Sequence, residues 1–152
     1  MHPLVIVGIV AVVLPLLILM GMYNGLVRLR NVVRDSWSGV DTELKRRHDL
    51  IPNLVSAVRG YMKYEQQVLD NVTRLRSEIM SHGADPKERG REESELSRSL
   101  KSLFAVAEKY PELKANTHVM ELQKELVRTE DRIQAARRFY NGNVRDYNTR
   151  CE

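Results

Sequence analysis

The sequence predicts an all-α protein, with a single transmembrane helix at the amino terminus followed by an up-and-down antiparallel bundle of three to four long helices. Three observations support this fold class. All 24 Lys and Arg and all 20 Asp and Glu follow Tyr23, so the first 23 residues carry no charged side chain. Apolar residues then recur at spacings of three and four, the period of an amphipathic helix. No stretch shows the alternation that is typical of a half-buried β-strand.

The uncharged segment from Pro3 to Tyr23 has the length of a membrane-spanning helix. Its 21 residues, at about 1.5 Å each, extend over roughly 30 Å, the thickness of the hydrocarbon core of a bilayer. A cleaved signal peptide would need a basic start and a small-residue cleavage site, and this segment has neither. We therefore predict an uncleaved anchor over residues 1–23 and a helical bundle over residues 24–152.

The charges that flank this segment predict its orientation. No Lys or Arg precedes it, whereas Arg28, Arg30 and Arg34 follow it closely. Because the basic flank of a membrane span tends to stay in the cytoplasm, we expect the amino terminus outside and the helical body in the cytoplasm. The partner that this segment predicts is the lipid bilayer.

A long helix is predicted to follow the anchor. Its seam positions, in steps of three and four, are Leu26, Leu29, Val33, Trp37, Val40, Leu44, Arg47, Ile51, Leu54, Val58, Tyr61, Glu65, Val68, Val72, Leu75 and Ile79. Pro52 disturbs the backbone of such a helix at a cost of about 3 kcal/mol, although the apolar spacing continues through it. Two alternatives stay open, namely a helix that is kinked but continuous, or two segments that meet at Leu50 to Pro52.

A helix boundary is predicted near residue 83. Gly83 can adopt the left-handed conformation that often follows the last turn of a helix. Asp85 is then suited to cap the next helix, with Pro86 at its first position and Glu88 at its third. These residues predict the end of one helix and the start of another.

Two further helices complete the predicted bundle. The stretch up to Glu95 is nearly all charged and is predicted to be exposed, and Pro111 is predicted to end the helix that contains it. Asn116 or Thr117 can cap the last helix, whose spacing predicts a helix through Asn141-Gly142 even though that dipeptide favours a hairpin turn in isolation. The apolar faces of the two helices are Leu96, Leu100, Leu103, Ala107 and Tyr110, and then Val119, Leu122, Leu126, Thr129, Ile133, Ala136, Tyr140, Val144 and Tyr147.

The residue types that carry chemistry are scattered along the chain. His2, His48, His82 and His118 fall in four segments without metal-ligand spacing, and each is expected to be a surface or interface side chain. Cys151 is the single cysteine, so neither an intrachain disulfide nor a thiolate metal cluster is predicted. No nucleophile, phosphate-loop or dinucleotide motif is present. We therefore predict no enzymatic activity, no cofactor and no metal.

The charge distribution bears on nucleic-acid binding. The net charge is +4 and the pI is about 9.3, but positive and negative side chains alternate along every predicted helix. This pattern is typical of a solvated helical surface rather than of a nucleic-acid stripe. Nucleic acid is therefore not among the predicted partners.

Arg47 occupies a seam position that would bury its charge. Breaking a buried ion pair costs about 3 to 5 kcal/mol, whereas an exposed pair is nearly neutral. We predict that Arg47 or Arg46 meets Glu130 or Asp131 on the last helix and fixes the register of the bundle. The alternative is that the side chain of Arg47 extends along its stem to water.

Several motifs resemble those of the LemA family over essentially the whole chain. They are the pattern R-R-x-D-L-I-P-N-L-V, the stretch Y-P-E-L-K-A and the pattern Y-N-x-x-V-x-x-Y-N near the carboxyl end. The motif residues are Arg46, Arg47, Asp49, Leu50, Ile51, Pro52, Asn53, Leu54, Tyr110, Pro111, Tyr140, Asn141, Tyr147 and Asn148. The sequence departs from the family at its end, where relatives usually continue into a tail that contains Pro and Phe; a truncated or short member is expected.

The resemblance implies a bacterial inner-membrane protein with its amino terminus outside and a cytoplasmic four-helix bundle, and it favours a division of the long helix at Pro52. It implies no established activity, cofactor or substrate, and relatives are linked to magnetosome formation, envelope function and membrane proteolysis. We expect a non-enzymatic, membrane-anchored scaffold that forms a homo-oligomer or presents a helix face to other membrane proteins. The alternative is a regulatory adaptor for a membrane protease or an envelope sensor.

Overall fold

The computed structural model describes residues 3–81 and 86–152, with side chains from Gly8 to Ser81 and from Glu88 onward. It contains the helices α1 (Pro3–Val58), α2 (Gln66–Ser81), α3 (Pro86–Ala107), α4 (Pro111–Ala115) and α5 (Thr117–Cys151). The described residues include no β-strand, and four of the helices are long. The predicted all-α fold is confirmed. Gly83 and Asp85, the predicted helix-end and cap residues, lie outside the described part of the chain.

Helix α1 runs through Pro52 without interruption and ends at Val58. Of the two alternatives for Pro52, the continuous helix is therefore confirmed, and the break at Leu50 to Pro52 that the family resemblance favoured is wrong. The chain turns instead over residues 59–65, where the backbone N–H groups of Tyr61 and Met62 both donate to the carbonyl of Val58 at 3.0 Å.

The turn at residues 59–65 corrects the predicted helix from Leu26 to Ile79. A single helix cannot bury both halves of its own seam, whereas a turn allows α2 to pack beside the end of α1. Leu54 and Val58 of α1 thus share a core with Leu69 and Val72 of α2. The gain in buried apolar surface is the physical reason why the chain reverses even though the three-four spacing continues.

The prediction that Pro111 ends α3 is wrong, because Pro111 instead begins α4. Helix α3 already ends at Ala107, and Pro111 occupies the first turn of α4. Proline suits that position because an N–H in the first turn has no partner within the helix. Tyr110 before it is extended, with φ −109° and ψ 100°, as the residue before a proline prefers.

Helix α5 begins and continues as the sequence predicts. The side-chain Oδ1 of Asn116 accepts hydrogen bonds from the backbone N–H of His118 at 3.1 Å and of Val119 at 3.2 Å. Asn116 is therefore the cap, one of the two predicted candidates. The helix then passes through Asn141-Gly142 to Cys151, so the helical spacing correctly overrides the hairpin dipeptide.

The chain forms two compact units, one from a continuous stretch of sequence and one from two segments that are distant in sequence. One unit contains residues 42–134 and holds the main apolar core, in which α2 and α3 pack against each other. The buried residues of that core are Ile51, Leu54, Val55, Val58, Met62, Leu69, Val72, Leu75, Ile79, Leu96, Leu100, Leu103, Leu113, Val119, Leu122 and Leu126. The other unit contains Met1–Asp41 and Ala135–Glu152. In it the rings of Trp37 and Tyr140 lie 5.2 Å apart at 60°, which joins α1 to α5.

The amino-terminal part of α1 is long and apolar enough to cross a membrane, and it is the one such helix among the described residues. Its large apolar side chains from Ile9 to Tyr23 are exposed, and Tyr23 is 67% exposed. The segment fits a single-pass anchor in length and composition. The division at residue 23 between anchor and bundle stays a prediction.

Candidate functional site

A largely buried cluster of charged and polar side chains lies inside the unit of residues 42–134, and we define it as Arg47, His48, Glu93, Ser97 and Glu130. Arg47 and His48 come from α1, Glu93 and Ser97 from α3, and Glu130 from α5. The period of each helix turns these positions inward, because each lies three or four residues from a buried apolar neighbour such as Leu44, Leu96 or Leu126.

Arg47 is the centre of the cluster and is 1% exposed. Its Nη1 donates to Glu130 Oε2 at 2.8 Å and to Ser97 Oγ at 2.6 Å. Its Nη2 donates to Glu93 Oε2 and also to the backbone carbonyl of Glu93, the latter at 3.2 Å. One guanidinium therefore binds groups on two other helices at the same time.

Glu93 divides its two carboxylate oxygens between two partners of α1. While Oε2 accepts from Arg47, Oε1 lies 3.0 Å from His48 Nε2. Burial alone would raise the pKa of Glu93, but the hydrogen bond with His48 and the positive charge of Arg47 together hold this pKa below its ordinary value of 4.5. Glu93 is therefore a buried carboxylate that is ionised at neutral pH.

The backbone of His48 explains how α1 accommodates Pro52. In an α-helix the carbonyl of residue 48 accepts the N–H of residue 52, which proline lacks. This carbonyl instead accepts a hydrogen bond from Nε of Arg76 on α2 at 2.7 Å. The carbonyl of His48, which has no N–H partner at residue 52 in α1, thus connects α1 to α2.

Glu130 is the side of the cluster that reaches solvent, with a side chain that is 23% exposed. Ser97 Oγ donates to its Oε1 at 2.9 Å, and Gln134 Nε2 donates to the same oxygen at 3.3 Å. The cluster therefore opens toward water at one carboxylate, while Arg47 and Glu93 stay enclosed.

Ion pairs that are more exposed than the cluster also join α1 to α5. Arg132 on α5 donates to Glu43 of α1 and to Glu125 of α5, at 3.0 Å in each case. Arg46 of α1 lies 3.4 Å from Glu125. The hydrogen bond from Arg132 lowers the pKa of Glu125, and because solvent screens these groups they stabilise the bundle little.

Glu65, the other charged residue at a seam position, also forms a hydrogen bond in the unit of residues 42–134. The hydroxyl of Tyr110 donates to Glu65 Oε2, between the turn at residues 59–65 and the start of α4. This hydrogen bond raises the pKa of Tyr110 to about 12, with burial and the negative charge of Glu65 as further causes. The pair ties the loop after α1 to the loop after α3.

The predicted contact between Arg47 and Glu130 is present, and the alternative in which Arg47 extends to water is wrong. Arg46 is paired with Glu125 instead, and Asp131 is exposed. That the Arg47 contact fixes the register of the bundle stays a prediction.

Two members of the cluster contradict the sequence analysis. Glu93 lies in the stretch that was predicted to be exposed, yet it is 3% exposed. Glu93 lies three residues before Leu96 and seven before Leu100, so it is on the same face of α3 as these buried leucines. This spacing could have identified Glu93 as a buried residue. His48 was predicted to be a surface or interface side chain, but it is buried beside Arg47. His118 is exposed as expected, and His2 and His82 lie outside the described residues.

The remaining motif residues do not form one site. Ile51 and Leu54 belong to the core and Leu50 packs against it, whereas Tyr140 contacts Trp37 in the other unit. Tyr147 is half-buried, and the exposed motif residues are Asp49, Pro52, Asn53, Pro111, Asn141 and Asn148. Within the described ranges 3–81 and 86–152, no group of His, Cys, Asp or Glu could hold a metal ion.

The arrangement of the cluster is suited to joining helices. Both terminal nitrogens of the Arg47 guanidinium and both carboxylate oxygens of Glu93 bind protein partners. The buried Arg47 Nε and His48 Nδ1 have no hydrogen-bond partner, but they are enclosed and are not presented to a substrate in solvent. The fold and the cluster thus define the class: an all-helical protein with an apolar first helix, in which buried charges connect several helices.

The comparison with known sequences places this protein within that class. The LemA family model matches residues 36–152, and the chain belongs to the LemA family. Protein LemA from Metamycoplasma hominis is 26% identical over 130 residues, which cover 86% of this chain and 59% of that relative. The chain thus spans about 59% of the length of the relative it matches. The resemblance noted in the sequence is confirmed.

Proposed function

We propose that the protein is a non-enzymatic, membrane-anchored helical scaffold that associates with itself or presents a helix face to other membrane proteins. The observation that carries this proposal is the exposed apolar surface of α1 from Ile9 to Tyr23. Apolar surface of this length is unfavourable in water, and a bilayer would cover it along the whole segment. The lipid bilayer is therefore the first partner that we assign.

The buried charged cluster supports a structural role over catalysis. A general acid, base or nucleophile must reach a substrate, whereas Arg47 and Glu93 are enclosed and bind each other. Buried ion networks contribute little net stability, and in some proteins they select one packing arrangement over others. We infer that the cluster selects the packing of α1, α3 and α5.

The anchor supports self-association. Chains that share a bilayer move in two dimensions, which raises their effective concentration and reduces the entropy lost on lateral association. The basic residues Arg28, Arg30 and Arg34 after the anchor favour a cytoplasmic body. We therefore place the protein in the bacterial inner membrane, with its amino terminus outside.

Crosslinking in native membranes tests this function. We would introduce a photoreactive residue at the exposed positions Phe139 or Val127 and identify the products by mass spectrometry. A scaffold predicts products in which the chain is joined to a second copy of itself. If all products joined the chain to one different membrane protein, the result would favour the regulatory adaptor. A chain that alkaline carbonate extracts from membranes would contradict both functions.

A further inference from the structure

We propose that four arginines near the anchor form a binding surface for anionic phospholipid headgroups. We call Arg28, Arg30, Arg145 and Arg150 the membrane-proximal arginine cluster. The first two lie on α1 just after the apolar segment, and the last two lie at the carboxyl end of α5. The inference rests on the proposed membrane anchorage and adds a class of lipid to it.

The position of Arg28 and Arg30 follows from helix geometry. They come five and seven residues after Tyr23, which at about 1.5 Å per residue is roughly 7 to 11 Å along α1. The polar headgroup layer extends about 5 to 8 Å beyond the hydrocarbon core on each side. Both guanidinium groups can therefore reach lipid phosphates from one side of the bilayer.

The unit formed by Met1–Asp41 and Ala135–Glu152 brings α5 to the same level. Tyr140 of α5 contacts Trp37 of α1. The part of α1 in this unit ends at Asp41, only four residues after Trp37. We therefore infer that α5 beyond Tyr140 runs beside the part of α1 that precedes Trp37. Ten residues separate Tyr140 from Arg150, and ten separate Trp37 from Val27. Arg150 therefore lies near the level of Val27, close to the end of the apolar segment.

The burial pattern supports this antiparallel course within the unit. Leu26 and Leu29 on α1 are half-buried, as are Val144 and Tyr147 near the end of α5. A helix that ran the other way would leave Leu26 and Leu29 without this cover. The carboxyl end of α5 thus accompanies α1 down to the apolar segment.

The charges of these arginines are available to a ligand. All four side chains are exposed, and none forms an ion pair within the part of the chain that the structure describes. The acidic side chains at the same level are those of Asp146 and Glu152, so four arginine side chains face two acidic side chains. Guanidinium groups bind phosphate oxygens through two parallel hydrogen bonds, which makes anionic phospholipids the matching partner.

Electron spin resonance of spin-labelled lipids tests the proposal on the full chain reconstituted in phosphatidylcholine bilayers. It compares the association of labelled phosphatidylglycerol with that of labelled phosphatidylcholine. We expect the anionic lipid to associate more strongly, by about fivefold for each arginine that contacts a headgroup. At about 1 M salt, where the Debye length is about 3 Å, this preference should largely disappear.

Matched variants localise the effect. The double variant Arg145→Ala and Arg150→Ala should lower the preference severalfold. The control is Arg98→Ala and Lys124→Ala, which removes the same charge from exposed positions in the other unit and should leave the preference unchanged. Equal association of both lipids with the unmodified chain would overturn the proposal, as would equal losses in both variants.

A chain that fails to enter the bilayer would refute the anchorage itself. A chain that inserts but shows no lipid preference would refute the headgroup surface alone. The two failures are therefore distinguishable in the same reconstitution.

Discussion

Arg47 and Glu93 show at the scale of single residues how this fold uses buried charge. The guanidinium of Arg47 contacts the carboxylates of Glu93 on α3 and Glu130 on α5. The second carboxylate oxygen of Glu93 contacts His48. Removing one partner of a buried ion pair leaves the other charge uncompensated in a low-dielectric interior, which lowers the free energy of unfolding by about 3 to 5 kcal/mol. Replacing both partners by apolar side chains is far less costly, so the cluster acts mainly by disfavouring other helix arrangements.

A double-mutant cycle tests this reading of the cluster. Glu93→Leu should lower the free energy of unfolding by about 3 to 5 kcal/mol, because Arg47 then keeps a buried charge without its closest partner. Adding Arg47→Met should recover most of that loss. The measurement is denaturant unfolding of the full chain in detergent. Glu95→Leu, at an exposed position of the same helix, serves as the control, and a Glu93 variant no less stable than this control would contradict the account.

The pKa of Glu93 predicts how stability depends on pH. Since its folded-state pKa lies below 4.5, the unfolded state takes up the proton first as the pH falls. The stability from this carboxylate is therefore complete above about pH 4.5 and is lost as the pH falls through the folded-state pKa. The difference in unfolding free energy between the natural chain and Glu93→Gln, measured between about pH 3 and about pH 7, should narrow once the pH falls below about 4.5. A difference that stays constant over this range would refute the assignment.

The residues of the cluster were only partly predictable. The three-four spacing placed Arg47 on a seam, and its burial required a carboxylate partner, which led to Glu130. Glu93 was missed because its charged neighbours suggested an exposed stretch, although its phase relative to Leu96 was that of the core. The paired orientation of Glu93 and His48 depends on how α1 and α3 meet, and no local pattern specifies that.

At the scale of elements, the helix boundaries depend on packing between segments distant in sequence. The apolar spacing runs through Pro52 and through residues 59–65 alike, so it could not show which of them ends α1. The helix tolerates Pro52 because Arg76 takes the carbonyl that the proline leaves free. It ends instead where a turn allows α2 to cover the seam. The beginning of α5, in contrast, was predictable because Asn116 caps it locally.

The relation between Pro52 and Arg76 gives a prediction at this scale. Arg76→Met should lower the unfolding free energy by about 1 to 3 kcal/mol, because the His48 carbonyl loses its partner. The same substitution should cost less in a Pro52→Ala background, since the alanine amide can bond that carbonyl within α1. Denaturant unfolding of the four chains measures the coupling. Arg74→Met, at an exposed position of α2, is the control, and an equal cost of Arg76→Met in both backgrounds would contradict the explanation.

At the scale of the whole molecule, the sequence was most informative about the apolar first helix and the all-α fold. Both follow from local composition and period, which need no knowledge of tertiary contacts. The motif residues identified the LemA family, and the match over residues 36–152 establishes it. The partners of the exposed surfaces depend on other molecules, so function had to be argued from the anchor and the cluster.

The proposed orientation can be tested with the cysteine at residue 151, which is exposed. A membrane-impermeant maleimide should label Cys151 only after the inner membrane is made permeable, because the body is placed in the cytoplasm. The variant Cys151→Ser is the control for unspecific reaction. Labelling of Cys151 by a reagent that has reached only the outer face of the inner membrane would reverse the orientation.

Light scattering of the full chain, purified in a mild detergent and corrected for bound detergent, tests the proposed scaffold most directly. The chain has a mass of 17.6 kDa. A self-associating scaffold predicts one discrete species whose protein mass is a multiple of this value and stays constant on dilution. A protein mass of 17.6 kDa at every concentration would contradict self-association and favour an adaptor that binds a different protein.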